Sequence, residues 1–122
     1  MKKYKIIKGD SIDFGLCKVF RIQALIDFGD VKAGAIGGYI ESEANLSHQG
    51  NAWVADEAQV TGNVQIAGNT LVCDFAWVSG DGKIKGDSII GGWAELKLDS
   101  NLNGNIFVIT APPDRGPIPS RI

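Results

Sequence analysis

Histidine and cysteine are scarce in this sequence: His48, Cys17 and Cys73 are the only ones among 122 residues. A zinc site of the three-histidine type needs more histidines than one chain offers here. The two cysteines lie far apart and form no CxxC motif, so they do not have the spacing of a metal-binding or redox pair. We therefore predict two reduced thiols and no bound metal.

An excess of positive charge is also missing. The 12 Lys and Arg residues against 14 Asp and Glu residues give a net charge of -2 and a sequence pI near 5.2. Proteins that bind nucleic acid concentrate basic residues on one surface, so nucleic acid is not expected as a partner. No apolar run has the length of a signal peptide or a membrane span. These features predict a cytoplasmic protein without a membrane partner.

Proline is absent before residue 112, whereas 16 glycines are spread along the chain. This contrast favours a sequence repeat with glycine at its turns. From Gly50 the sequence divides into ten consecutive hexapeptides without an insertion. The fifth place of these hexapeptides holds only branched aliphatic residues: Val54, Val60, Ile66, Val72, Val78, Ile84, Ile90, Leu96, Leu102 and Val108.

The third place of most hexapeptides is small or β-branched, as in Ala52 and Thr70. Residues two apart in a strand share a face, so the third and fifth side chains both enter the core. Most hexapeptides open with Gly-Asn, Gly-Asp or Asp-Glu, which tolerate turns and left-handed backbone angles, and Asp56 and Asp74 are assigned to such corners. The three- and four-residue spacing of a helix is absent. Each hexapeptide is therefore predicted to be a short strand followed by a corner.

This period resembles that of the hexapeptide-repeat superfamily, whose coils comprise three hexapeptides, or eighteen residues. The resemblance implies an all-β fold, a left-handed parallel β-helix of about four coils over residues 38–110. The frame slips once, because Leu46 and Val54 are eight residues apart. The two extra residues fall within Ser47–Gly50, which is predicted to bulge from a corner as a short loop.

The two ends of the sequence lack the repeat. Residues 1–37 are predicted to form a β-rich cap with a hairpin of Tyr4–Ile7 and Lys18–Ile26, separated by turns at Gly9-Asp10 and Gly15. A short helix over Phe20–Phe28 is the alternative. The Pro-rich tail, residues 111–122, cannot continue a β ladder and is predicted to be extended or disordered. The three segments are expected to form one cooperative domain.

A closer resemblance lies in the stretches 28–34, 37–47 and 50–54, which include Gly38-Tyr39-Ile40 and Gly50-Asn51-Ala52-Trp53-Val54. These stretches are similar to prophage-borne hexapeptide-repeat proteins that place this passage before a run of G-N-A-x-V repeats. The resemblance implies a phage or prophage protein acting in the cytoplasm of a bacterial host cell.

Residues at the fourth place of each hexapeptide lie between two inward side chains and should point outward. Residues one coil apart, which is eighteen residues within the regular repeat, should stack on the same face. On this basis face one carries Trp53, Leu71, Ile89 and Phe107; face two carries Tyr39, Gln59, Trp77 and Glu95; face three carries Asn45, Gln65, Lys83 and Asn101. Face one is entirely apolar, and Phe75 and Trp93 extend it at the adjoining corner. The predicted binding or oligomer face therefore comprises Trp53, Leu71, Ile89, Phe107, Phe75, Trp93, Trp77 and Tyr39.

Three explanations for the apolar face remain open at this stage. The N-terminal strands or the Pro-rich tail could fold back over it. A homo-oligomer, most often a trimer in this superfamily but alternatively a dimer, could bury it. Otherwise it docks another protein through its aromatic side chains.

We predict a non-catalytic protein-binding or structural module that uses this face and no cofactor, with an inhibitor of a host or defence protein as a concrete version. Enzymes of the superfamily are mainly acyltransferases with a histidine base, or carbonic anhydrases whose three-histidine zinc site this sequence cannot form. The alternative function is therefore an acyltransferase that binds acyl-CoA and uses His48 as its base. An exposed loop histidine without a partner is the favoured interpretation of His48.

Overall fold

A computed structural model of the chain describes residues 2–111, so the predicted Pro-rich tail lies outside the described residues except for Ala111. One turn of 3-10 helix at Glu43–Asn45 is the only helical segment in the described part, and none of it forms a helix long and apolar enough to cross a membrane. The strands are β1 (Tyr4–Asp13), β2 (Lys18–Ala24), β3 (Ile36–Ile40), β4 (Trp53–Val54), β5 (Gln59–Val60), β6 (Asn63–Ile66), β7 (Leu71–Val72), β8 (Trp77–Lys85), β9 (Ile89–Gly92), β10 (Glu95–Leu98), β11 (Leu102–Asn103) and β12 (Phe107–Thr110).

Parallel strands of successive coils pair eighteen residues apart, which confirms the predicted period. Face one stacks β4, β7, β9 and β12, and face two stacks β3, β5, the first half of β8 and β10. Face three stacks β6, the second half of β8 and β11. The only longer step is from the first coil to the second, where Tyr39 pairs with Gln59 and Leu46 with Ile66 because of the two extra residues. The fold is the predicted left-handed parallel β-helix of about four coils.

The core consists of the fifth and third places of the hexapeptides. The first seven aliphatics of the fifth place, from Val54 to Ile90, are completely buried, and each contributes about 1.5–3 kcal/mol when removed from water. Ala52, Ala58, Ala76 and other small residues of the third place fill the space between them. The last three aliphatics, Leu96, Leu102 and Val108, are only partly buried because they belong to the final coil.

The corners have the predicted left-handed backbone. Nine of the ten opening residues adopt positive φ, with Leu98 the exception: Gly50, Asp56, Gly62, Gly68, Asp74, Gly80, Gly86, Gly92 and Gly104. At Gly80 glycine is required for space as well, since an added Cβ would lie 2.2 Å from the carbonyl oxygen of Leu98 in the next coil.

The N-terminal segment forms the predicted hairpin. Strand β1 pairs antiparallel with β2, and β2 pairs antiparallel with β3, so the sheet of face two continues into the cap. The turn predicted at Gly9-Asp10 is wrong: β1 runs through both residues, and the extra length is absorbed by a register shift between Ile7 and Ser11. The alternative helix at residues 20–28 is also wrong, because β2 covers its first half and no helix follows.

The cap closes the first coil with side chains as well as strands. The Lys3 ammonium, 1% exposed, donates to the carbonyl oxygens of Gly50 at 3.1 Å and Ala52 at 2.7 Å. The Tyr4 hydroxyl donates to the carbonyl of Leu46 at 2.6 Å. Backbone groups that would otherwise lack a partner at this end are thereby satisfied.

Candidate functional site

Face one was predicted to point outward, with covering by the N-terminal strands as one of the open explanations, and at Trp53 the cap does cover it. Trp53 points outward from the β-helix but is 5% exposed. The Phe28 ring packs edge-on against it at 5.3 Å between centroids, and Tyr4 lies at 6.4 Å. The segment between β2 and β3 folds over this residue, so the first of the three explanations holds for the first coil.

Tyr39 on face two is covered in the same way, which corrects its predicted exposure. The Arg21 guanidinium lies 4.2 Å from the Tyr39 ring centroid, and its Nη2 donates to the Tyr39 hydroxyl at 2.8 Å. Nη1 donates to the carbonyls of Gly37 and Asp56, both at 2.9 Å. Arg21 therefore joins the hairpin to the first two coils, and Tyr39 belongs to the core of that joint.

Asn45 on face three was also predicted to face solvent and is instead fully buried. Its Oδ1 accepts from the amides of Glu41 and Ser42, and its Nδ2 donates to the carbonyls of Gly62 and Val64 at 3.1 and 2.8 Å. One side chain thus substitutes for ladder bonds where the first coil lacks a strand on face three. The remaining fourth-place residues of face three, Gln65, Lys83 and Asn101, are polar and wholly or partly exposed.

The uncovered part of the predicted face is a continuous apolar surface on the later coils. Leu71 and Ile89 are half-buried and Phe107 is 72% exposed. At the adjoining corner the Phe75 and Trp93 rings stack at 4.2 Å with an interplanar angle of 10° and remain 50% and 39% exposed. We call Leu71, Ile89, Phe107, Phe75 and Trp93 the apolar surface.

A groove borders the apolar surface where it meets the cap. The groove encloses about 310 Å³. Its apolar lining comprises Val31, Trp53, Leu71 and Ile89, and Asp30, Asn51 and Asn69 supply polar groups. This combination of an apolar floor with a few polar side chains is typical of a site that binds a partner's side chain.

Trp77 lies on face two, two residues after Phe75 of the apolar surface. Its ring is 41% exposed and stacks at 6.4 Å with Phe14 from the tip of the hairpin. Its indole N–H donates to the Thr61 hydroxyl at 3.0 Å. The hairpin tip thus covers part of face two beside Trp77.

His48 has partners on both ring nitrogens, so the prediction of a histidine without a partner is wrong. Nδ1 accepts from the backbone amide of Lys3 at 3.2 Å, which leaves the proton on Nε2, and Nε2 donates to Glu43 at 3.0 Å. The ring also stacks on Tyr4 at 4.1 Å. The inserted loop Ser47–Gly50 therefore holds the cap against the first coil.

A second depression, of about 270 Å³, adjoins His48 and is lined also by Glu43, Gln65 and Lys83. Hydrogen bonds from Lys2 and His48 lower the pKa of the Glu43 carboxyl, so Glu43 remains an anion and orients the imidazole. A general base needs a free nitrogen directed at its substrate. In this arrangement neither nitrogen of His48 is free.

Asp56, Cys73 and Asp74 bring three potential metal-ligating atoms within 4.8 Å of one another at the corner beside face one. Each carboxylate already has a structural role: Asp56 accepts from the amide of Asp74 at 3.0 Å, and Asp74 accepts from that of Gly92 at 2.7 Å. Burial and the two carboxylates raise the pKa of the Cys73 thiol to about 11. The Cys73 thiol is therefore not an activated nucleophile, and the two aspartates act as the predicted corner residues.

Comparison with known proteins gives one partial match, and no protein-family profile matches the chain. Over 53 residues the chain is 40% identical to a protein named "Uncharacterized acetyltransferase YdcK" from Escherichia coli strain K12. The match covers 38% of this chain and 16% of that protein. The β-helix and this match fit the hexapeptide-repeat superfamily. A shared length of this size carries the repeat architecture and does not extend to the whole relative's activity.

Sequence reasoning missed the residues through which the cap acts, notably Lys3, Tyr4 and Arg21, because they lie outside the repeat. One signal for the cap's close approach was present. A Cβ on Gly37 would lie 2.6 Å from the Trp53 ring and 2.8 Å from the side chain of Ile22 in the hairpin. Consecutive glycines ahead of an otherwise regular repeat indicate backbone packed against a neighbour.

Proposed function

We propose that this protein is a non-catalytic binding module that docks a protein partner on its apolar surface and the bordering groove. The observation that carries the proposal is the selective covering of apolar side chains. The cap buries Trp53 and leaves Leu71, Ile89 and Phe107, the next residues of the same stack, in contact with solvent. Exposed apolar patches with aromatic side chains are a feature of protein interaction sites.

The chemistry of the described residues also favours binding over catalysis. His48 is the only histidine, and both its nitrogens are hydrogen-bonded, Nδ1 to the cap and Nε2 to Glu43. Cys73 has a raised thiol pKa, and the neighbouring aspartates accept backbone hydrogen bonds. The finer version of the proposal is an inhibitor of a host or defence protein encoded by a phage or prophage. It is supported by the resemblance of residues 28–54 to prophage-borne proteins.

The test is affinity capture from a bacterial lysate with three chains: wild type, Ile89→Glu and Gln65→Glu. Both substitutions add one carboxylate at the fourth place of a hexapeptide, but only Ile89 lies on the apolar surface. We expect a protein captured by wild type and Gln65→Glu to be lost with Ile89→Glu. Calorimetry with the purified partner should then show direct binding with the same dependence. Identical captured proteins for all three chains would contradict the proposal.

The alternative function is an acyltransferase with His48 as its base, and the partial match to a protein named an acetyltransferase favours it. Titration of acetyl-CoA into wild type and His48→Ala separates the two functions. Our proposal predicts no saturable heat with either protein. Saturable binding that His48→Ala abolishes, with an unchanged circular dichroism spectrum, would support the alternative. A His48→Gln variant retains an acceptor for the Lys3 amide and controls for loosening of the cap.

A further inference from the structure

The last coil of the β-helix presents strand edges that are unpaired within residues 2–111. Strand β10 pairs only with β8, β11 only with β8, and β12 only with β9. The core aliphatics of this coil are partly exposed, although their counterparts one coil earlier, Val78, Ile84 and Ile90, are completely buried. A row of free backbone groups beside apolar side chains is a template for pairing with another strand.

We infer that a second copy of this chain docks on this end, with β10 antiparallel to the partner's β10 about a two-fold axis. The inference concerns the end of the β-helix and does not rest on the proposed function of its face. The amides and carbonyls of β10 point in the directions that this pairing requires. The amide of Trp77 donates to the carbonyl of Ala94, and bonding alternates along a strand, so Glu95 and Lys97 direct their amides and carbonyls away from β8.

Charge complementarity selects the register. Glu95 and Lys97 are both exposed and point to the same side of face two. Antiparallel pairing centred on Leu96 puts Glu95 of each copy opposite Lys97 of the other, in a pair that exchanges both backbone hydrogen bonds. Opposite charges directly across an antiparallel ladder stabilise it, and like charges there destabilise it. The same axis brings each β12 beside the other copy's β11 and covers Leu96, Leu102 and Val108.

Head-to-tail stacking is disfavoured because the other end of the β-helix is closed. Strand β2 occupies the outer edge of β3, and the carbonyls of Gly50 and Ala52 accept from Lys3. The second copy therefore meets the first through identical ends, which gives a closed dimer and no filament. The four prolines among residues 112–122 lack a backbone N–H, whereas a partner's β10 offers an unbroken row of ladder donors.

The test is sedimentation velocity of the full chain over a range of concentrations, with Glu95→Lys, Lys97→Glu and the double exchange Glu95→Lys/Lys97→Glu. We expect a dimer for wild type. Each single variant should raise the dissociation constant roughly tenfold, because two opposite-charge pairs become like-charge pairs, and the double exchange should restore it. Asp81→Lys, an exposed charge reversal on face three one coil earlier, should leave the constant unchanged.

Both side chains of the charge pair lie outside the core, and circular dichroism checks that each variant is folded. A chain that is monomeric at every concentration overturns the inference. So does a trimer, or a dimer whose dissociation constant is the same in both single variants. A dimer that Glu95→Lys and Lys97→Glu weaken and the double exchange does not restore also contradicts the proposed register.

Discussion

The first and last coils of this β-helix have the same repeat but different outer edges. At the first coil, a hairpin strand pairs with β3, Lys3 and Tyr4 bond the carbonyls of residues 50, 52 and 46, and Asn45 replaces ladder bonds on face three. At the last coil, β10, β11 and β12 have no such partners among the described residues. In a solenoid each coil is stabilised by its neighbours, so a terminal coil needs contacts from outside the repeat to cover its free edge and its core. Within residues 2–111, the segment that precedes the repeat closes one end of the core, and no described segment closes the other.

The largest difference between the ends is expected for aromatic side chains. Tyr4→Ala should lower the free energy of unfolding by about 3–5 kcal/mol, because it removes a fully buried ring and its contact with His48. Phe107→Ala at the other end should lower it by less than about 1 kcal/mol, because that ring is 72% exposed. Urea unfolding measures both values. Equal losses would break the distinction between a closed and an open end.

A smaller difference is expected for two asparagines of the same stack on face three. Asn45→Ala leaves buried backbone groups without partners and should cost about 1–3 kcal/mol of unfolding free energy. Asn101→Ala removes one exposed hydrogen bond, to the amide of Lys83, and should cost less than about 1 kcal/mol. Thermal and urea unfolding of the two variants compare the same residue type at the two ends. A greater loss for Asn101→Ala would reverse the comparison.

A third difference between the ends is a pH dependence that belongs to the closed end. Burial lowers the pKa of Lys3 from 10.5 to about 8, so between these values the unfolded chain binds more protons than the folded chain. Lys3 therefore adds to the free energy of unfolding as the pH rises from about 8 to 10.5, and this contribution is lost as the pH falls through 8. The free energy of unfolding of wild type minus that of Lys3→Met should therefore increase over that pH interval.

Urea unfolding of both proteins at a series of pH values gives this difference. The raised pKa values of Tyr4 and Cys73 oppose the trend in wild type, but those groups are present in both proteins and largely cancel. Lys5→Met, which replaces an exposed lysine of β1, serves as the matched control. If the difference in unfolding free energy between wild type and Lys3→Met does not change with pH, the result would contradict a buried Lys3 ammonium at the closed end.

The coils could be predicted from the sequence because each repeats the same short-range rule. An aliphatic every six residues and a turn-forming pair at each corner specify strands, core and register without knowledge of distant contacts. The outward direction of Trp53 and Tyr39 followed from the same rule. Their burial did not, because it depends on Phe28 and Arg21, which precede the repeat and contact Trp53 and Tyr39 from other parts of the sequence. Such contacts occur once and without periodicity, so the sequence pattern does not predict them.

The candidate site illustrates the same division. The stack of Leu71, Ile89 and Phe107 follows from spacing alone, and the structure places these residues on neighbouring strands. The role of His48 could not be predicted, since it depends on the amide of Lys3, the carboxylate of Glu43 and the ring of Tyr4 meeting in one place. The residue type suggested a catalytic base, whereas the contacts of His48 make it part of the closed end.

Hydrogen exchange resolved by residue tests the difference between the two ends most directly. The amides to compare occupy the fifth place of the hexapeptides: Val60, Ile66 and Val72 near the closed end, and Leu96, Leu102 and Val108 in the last coil. The experiment uses the Glu95→Lys chain at a dilution where it is monomeric. We predict that the first three exchange only through global unfolding, whereas the last three exchange faster through local opening of the final coil. Equal protection of the two sets, or faster exchange near the cap, would contradict a β-helix closed at its first coil and open at its last.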